Sequence, residues 1–112
     1  MVATVYAYEP SEQEIQNSIL EYLTLKGYTC WRQNSAGIYS EKLGRFRKQS
    51  KYAVNGISDI IVLSEGKAYF IEVKRERGKQ SEDQTLFQKF VERAGCEYLL
   101  ARCLADVQEA GF

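Results

Sequence analysis

The sequence predicts an α/β fold in one domain, and three observations lead to it. Two segments with a helical apolar period each open on a Ser-x-x-(Glu/Gln) pattern, at Ser11 and at Ser81. Between them, an apolar run and a strand-forming run are joined by Ser64-Glu65-Gly66-Lys67, which has turn chemistry. The 112 residues, 45% hydrophobic and 27% charged, suffice for one core and are too few for two ordinary domains.

In chain order, Thr4 to Tyr8 read as a strand or an N-terminal arm, with residues 1–10 ending at Pro10. Ser11 is the N-cap of a helix over about residues 12–26, and Glu14 completes its capping box. Ile15, Ile19, Tyr22 and Leu23 form its apolar face, and Gly27 its stop. Residues 28–34 alternate as a strand, whereas Ser35 to Gly56 shows no sustained period and reads as a long functional loop. Ile60 to Leu63 and Ala68 to Lys74 are the two strands of an antiparallel hairpin. A second helix follows Ser81, with Gln84 completing a second capping box and Leu86, Phe87, Phe90, Val91 and Ala94 on its apolar face. A strand at Tyr98 to Arg102 and a short helix at Leu104 to Ala110 close the chain.

Composition excludes several chemistries. There is no histidine, which removes histidine-based triads and imidazole-ligated zinc. Cys30, Cys96 and Cys103 are odd in number and lack CxxC spacing, so neither a disulfide framework nor a zinc knuckle is expected. No stretch approaches the roughly 18 apolar residues of a membrane span, and no signal-peptide pattern opens the chain, so an intracellular location is the expectation. Net charge is zero, yet unevenly spread. Residues 1–25 carry four acids and no base; Arg32, Lys42, Arg45, Arg47, Lys48 and Lys51 then face Glu41 alone, and Lys74, Arg75, Arg77 and Lys79 form a second basic cluster around Glu76. Two such clusters flanking one hairpin point to a phosphate-binding surface.

On the hairpin, strand alternation puts Glu72 and Lys74 on one face, roughly 7 Å apart, with Tyr69, Ile71 and Val73 on the other. Asp59 opens the partner strand, where pairing brings its carboxylate near Glu72. Two converging carboxylates repel unless a cation stands between them, and magnesium, a hard ion with oxygen ligands, meets that need. Lys74 would then position or deprotonate a water and stabilise a pentacovalent transition state.

Gly56-Ile57-Ser58-Asp59 with Phe70-Ile71-Glu72-Val73-Lys74 resembles the PD-(D/E)xK nuclease superfamily. With Glu14, the segment Trp31 to Gly37, Gly78 to Ser81, Gln84 and Ala101-Arg102, the layout resembles a VRR-NUC domain over most of the chain. Ser58 departs from the superfamily pattern, which has proline before the aspartate. The resemblance implies a restriction-endonuclease-like αβββαβ core, a mixed central sheet flanked by helices. It implies Asp59, Glu72, the Val73 carbonyl and Glu14 as ligands of Mg2+ or Mn2+, Lys74 as the catalytic lysine, and Gln84 orienting Lys74 or substrate. DNA contacts are expected from Arg32, Asn34, Lys42, Arg45, Arg47, Lys48, Lys51, Arg75, Lys79 and Ser81. The standalone phage or bacterial type of this family further implies a homodimeric endonuclease acting on branched DNA, four-way Holliday junctions above all, in a bacterial or phage-infected cytoplasm. A flap- or restriction-type endonuclease using the same residues is the alternative within enzymes, and a non-catalytic DNA-binding module the alternative outside them.

Overall fold

The computed structural model describes residues 8–33, 52 and 54–112, together with the backbone of 38–40 and 45–47. The elements run α1 (Glu12–Leu25), β1 (Thr29–Arg32), β2 (Ile38–Ser40), β3 (Arg45–Arg47), β4 (Ile60–Ser64), β5 (Lys67–Val73), α2 (Glu82–Arg93), β6 (Glu97–Ala101) and α3 (Leu104–Glu109). Of the expected N-terminal strand or arm, all but Tyr8 lies outside the described residues.

Both long helices start where their capping boxes place them. The Ser11 hydroxyl accepts from Glu14 N at 3.1 Å, and the Glu14 carboxylate accepts from Ser11 N at 3.3 Å. Ser81 and Gln84 repeat this on α2, with the Gln84 side-chain oxygen 2.8 Å from Ser81 N. Helix α1 ends in a Schellman motif, Tyr28 N donating to Leu23 O at 3.0 Å.

The main sheet has the order β1-β4-β5-β6. Its first three strands pair antiparallel, whereas β6 lies parallel to β5 because α2 carries the chain back across the sheet between them. The hairpin is closed by Glu65 and Gly66, both at positive φ (51° and 77°), as a two-residue turn of type I′ requires. Sheet and flanking helices form the mixed α/β arrangement that the resemblance implied. The structure adds one feature that the sequence reading lacked. Within the expected loop at 35–56, β2 and β3 pair as a separate antiparallel ribbon, Ile38 opposite Arg47. Three-residue strands are too short to show a period.

Strand β5 distributes its side chains to two layers. Ile71 and Val73 are fully buried with Ile60, Val62 and Ala101 against Ile15, Ile19 and Leu23 of α1 and Val107 of α3. Phe70 and Glu72 point to the other face, beneath α2. There Phe87 meets Phe70 edge-on (centroids 5.4 Å apart) and Tyr98 at 6.5 Å. Among the described residues, no helix is long and apolar enough to cross a membrane.

Ile71 is fully buried in the layer shared by α1 and the sheet. Ile71→Ala should therefore destabilise the protein by about 2–5 kcal/mol, measured by urea unfolding.

Candidate active site

Antiparallel pairing of Ile60 with Ile71 puts Asp59, the residue before β4, across from Glu72 at the end of β5. Two backbone contacts hold Asp59 there. Its Oδ2 accepts from Val73 N at 2.8 Å, and its carbonyl accepts from Gln33 N at 2.7 Å, tying it to the end of β1. In an extended strand the N–H and C=O of one residue face the same neighbour. The Val73 carbonyl is therefore turned to the same edge as Asp59.

Glu72 is buried, 2% exposed, and among the described residues it is the one buried charged side chain. Its Oε1 accepts from Gln84 Nε2 at 3.0 Å and lies 3.8 Å from Lys74 Nζ. Among the described residues, its buried Oε2 has no donor. The pKa of Glu72 is pushed up to about 8, first by burial, then by the Asp59 charge and a hydrogen bond to Asp59, with Glu12 adding repulsion and Lys74 opposing it. A carboxylate in this state takes up either a proton or a cation.

The Asp59 loop is pressed onto the start of α2. Gly56 has φ +73°, and a Cβ there would stand 2.4 Å from the backbone C and O of Asp83 and 2.7 Å from Gln84 N. No other residue type fits such an approach without displacing backbone. This contact places Gln84 within reach of Glu72. Gln84 thus does two things at once, its oxygen capping α2 and its amide nitrogen holding Glu72 rather than Lys74. Ser58, the residue before Asp59, is fully buried. The half-buried Tyr98 hydroxyl accepts from Gln80 Nε2 at 2.9 Å, and burial raises its pKa.

The acid on α1 is placed differently from the sequence expectation. Glu14 is exposed; its carboxylate caps the helix and accepts from the Tyr8 hydroxyl, and these bonds, Tyr8 first, lower its pKa. It is not brought together with Asp59 and Glu72. Glu12 is the α1 acid whose charge bears on Glu72. The signal was present in the periodicity, because Glu12 lies three and seven residues before the buried Ile15 and Ile19, whereas Glu14 points about 160° away from Glu12.

The expected DNA contacts are dispersed. The Arg32 guanidinium lies along α1, donating to Gln16 Oε1 at 3.1 Å and to Asn17 Oδ1. Arg75 pairs with Glu9 at 3.2 Å, both partly exposed, and Lys79 is exposed. Ser81 uses its hydroxyl in the α2 cap. Arg45 and Arg47 lie on β3, described by backbone alone, and Asn34, Lys42, Lys48 and Lys51 lie outside the described residues.

The donor set fits a hard divalent cation: carboxylate and carbonyl oxygens around an orphaned Glu72 Oε2, with no histidine in the chain. Among the described residues, no three acidic or thiol side chains stand close enough together to form a ready-made metal cluster.

No family model and no curated protein matches the sequence. A solved structure described as a "VRR_NUC domain" shares the fold, with a TM-score of 0.62 over 88% of this chain and 90% of that chain, at 21% identity. The architecture is that of a VRR-NUC domain.

Two outcomes follow from the geometry. With its pKa raised from 4.5 to about 8, Glu72 makes the folded protein bind more protons than the unfolded chain between those values, so its contribution to metal-free stability falls as pH rises through that window. In a chelator, the wild-type melting temperature should drop relative to that of Glu72→Gln as pH is raised; parallel profiles would contradict the burial argument. Gly56→Ala, strained in φ and clashing with backbone, should cost about 2–4 kcal/mol in urea unfolding.

Proposed function

We propose that this chain is a divalent-metal-dependent DNA endonuclease that hydrolyses phosphodiester bonds in branched DNA as a homodimer. The observation that carries the nuclease reading is the buried, donor-less Glu72 Oε2 beside Asp59, with the Lys74 ammonium 3.8 Å from the other Glu72 oxygen. A surface Glu-Lys pair on an edge strand would be solvated; this one sits on a central strand beneath a helix. The shared VRR-NUC fold supports the same reading.

Asp59, Glu72, the Val73 carbonyl and Glu12 are the residues that would hold Mg2+ or Mn2+. Glu12 takes the place first expected of Glu14. When bound, such an ion offsets the charge of the scissile phosphate and makes water more acidic. The remaining steps belong to the chain. Val73 N–H fixes the Asp59 carboxylate, and Gln84 Nε2 fixes Glu72, so neither acid need reorganise as charge develops. Lys74 Nζ holds the attacking water and bears on the negative charge of the pentacovalent transition state. Its side chain is 14% exposed, dry enough for that charge to act at strength.

The branched substrate and the homodimer rest on the family resemblance. A two-fold dimer matches the two equivalent strands that a four-way junction offers for paired nicks, and no base-reading motif is evident, which favours structure over sequence as the feature recognised.

A matched panel of linear, flap and four-way-junction DNA, with and without Mg2+, tests the reading. Asp59→Ala, Glu72→Ala and Lys74→Ala should each lower cleavage by about 10²-fold or more while DNA binding is largely kept. Calorimetry should show weaker Mg2+ uptake by Glu12→Gln and unchanged uptake by Glu14→Gln. Undiminished cleavage by Glu72→Ala would sink the mechanism, and preference for flaps or for one linear sequence would replace the junction reading.

A further inference from the structure

The turn that follows Lys74 is built around a cation that the mechanism above does not use. Arg102 lies just beyond β6, where its backbone N–H donates to the Asp106 carboxylate of α3 at 2.8 Å. Its Nη1 lies within hydrogen-bond distance of three carbonyls of the turn, those of Arg75, Glu76 and Gly78, at 2.5, 3.0 and 2.9 Å, so its two hydrogens are shared among them. The turn is closed by Gly78 N donating to the same Arg75 carbonyl at 2.9 Å. Carbonyl dipoles aimed at one point repel one another unless a positive charge stands there, and the guanidinium supplies that charge. The side chain of Arg102 is half-buried in that position.

The consequence lies on the opposite side of the turn. In a trans peptide the C=O and the next residue's N–H point in opposite directions. Peptide units that face Arg102 with their oxygens therefore turn the N–H groups of Glu76, Arg77 and Lys79 outward. None of these three amides has a hydrogen-bond partner among the described residues. The side chains of Arg75, Arg77 and Lys79 are exposed; Arg75 is engaged by Glu9, and neither Arg77 nor Lys79 has an ion pair among the described residues. The outer side of the turn thus combines amide donors with two uncommitted cations, starting one residue beyond Lys74.

We propose that residues 75–79 form a contact surface for the phosphates of the DNA backbone and that Arg102 is its positioning residue. This rests on the nuclease reading for the identity of the partner. Arg102 touches neither Asp59 nor Glu72, so its effect should fall on DNA binding and not on the chemical step. Phosphate contacts set affinity and its salt dependence, which gives the proposal its own readout.

The test uses the full chain with Arg102→Ala and Arg102→Lys, alongside Arg77→Ala, Lys79→Ala and the double variant Arg102→Ala/Arg77→Ala. Binding of a labelled DNA duplex is followed by fluorescence anisotropy in chelator across a salt series, single-turnover cleavage in Mg2+, and amide exchange by mass spectrometry. Arg102→Ala should speed exchange in residues 76–79 while β4 stays protected. It should weaken DNA binding about tenfold at moderate salt and leave the cleavage rate at saturating DNA unchanged. Arg102→Lys should recover part of the affinity. Arg77→Ala should reduce the salt slope by about 1 in the wild-type background and by clearly less in the Arg102→Ala background.

Unaltered exchange in the turn of Arg102→Ala would overturn the positioning role, as would global unfolding of both Arg102 variants. Unaltered affinity despite a loosened turn, or a loss confined to the saturated cleavage rate, would overturn the contact surface. If the wild type cleaves DNA and the Arg102 variants bind it normally, this inference fails alone. If the wild type binds no DNA, it fails together with the nuclease reading.

Discussion

Burying a glutamate carboxylate on a central strand is costly, and the layers around β5 are arranged to make one such burial tolerable. Strand alternation sends Ile71 and Val73 into the α1 layer and leaves Glu72 under α2. One of its oxygens receives Gln84 and approaches Lys74; the other receives nothing. An isolated charge in that position would be expelled from a simple core. Here Asp59 adds to the cost, because the Val73 amide fixes its carboxylate beside Glu72 and the two acids cannot turn apart. The repulsion between the two acids is what a divalent cation would relieve.

Everything that meets at this point arrives through backbone geometry. The register of the hairpin delivers Asp59, the approach of Gly56 to Asp83 docks the preceding loop on α2, and the α2 cap delivers Gln84. The one long side chain among them, that of Gln84, is held at both ends, its oxygen by Ser81 N and its nitrogen by Glu72. The pair is consequently held by elements that are rigid before any ligand arrives, which is the condition under which electrostatic stabilisation acts without reorganisation.

Much of this was legible in the sequence because it is local. Capping boxes at Ser11 and Ser81, the apolar period of α1 and α2, and the turn at Glu65-Gly66 each declare themselves within a few residues. The pairing of Asp59 with Glu72 was legible because a two-residue turn leaves one register. What was not legible is of two kinds. The ribbon of β2 and β3 is too short for periodicity to speak. Glu14 was implied by the resemblance, with its capping box as the local explanation; helical phase puts Glu12, not Glu14, on the face of the buried Ile15 and Ile19, and the charge of Glu12 bears on Glu72. Gln84 shows the reverse case: its local pattern announced the cap, and its amide nitrogen reaches Glu72, where the resemblance implied Lys74 or substrate. The cage that Arg102 builds joins residues 24 or more positions apart, and no local pattern announces it.

The double duty of Gln84 also limits what evolution can do with this helix. A capping box ordinarily accepts glutamate or glutamine at its third position, because only the side-chain oxygen is used. Here the oxygen serves the helix and the nitrogen serves Glu72, so the two residues cease to be interchangeable. A glutamate would cap α2 equally well and would set a third carboxylate against a buried one. The position therefore tolerates drift by the rules of helix formation and forbids it by the rules of the site. A single atom, the amide nitrogen, separates a neutral exchange from a disabling one.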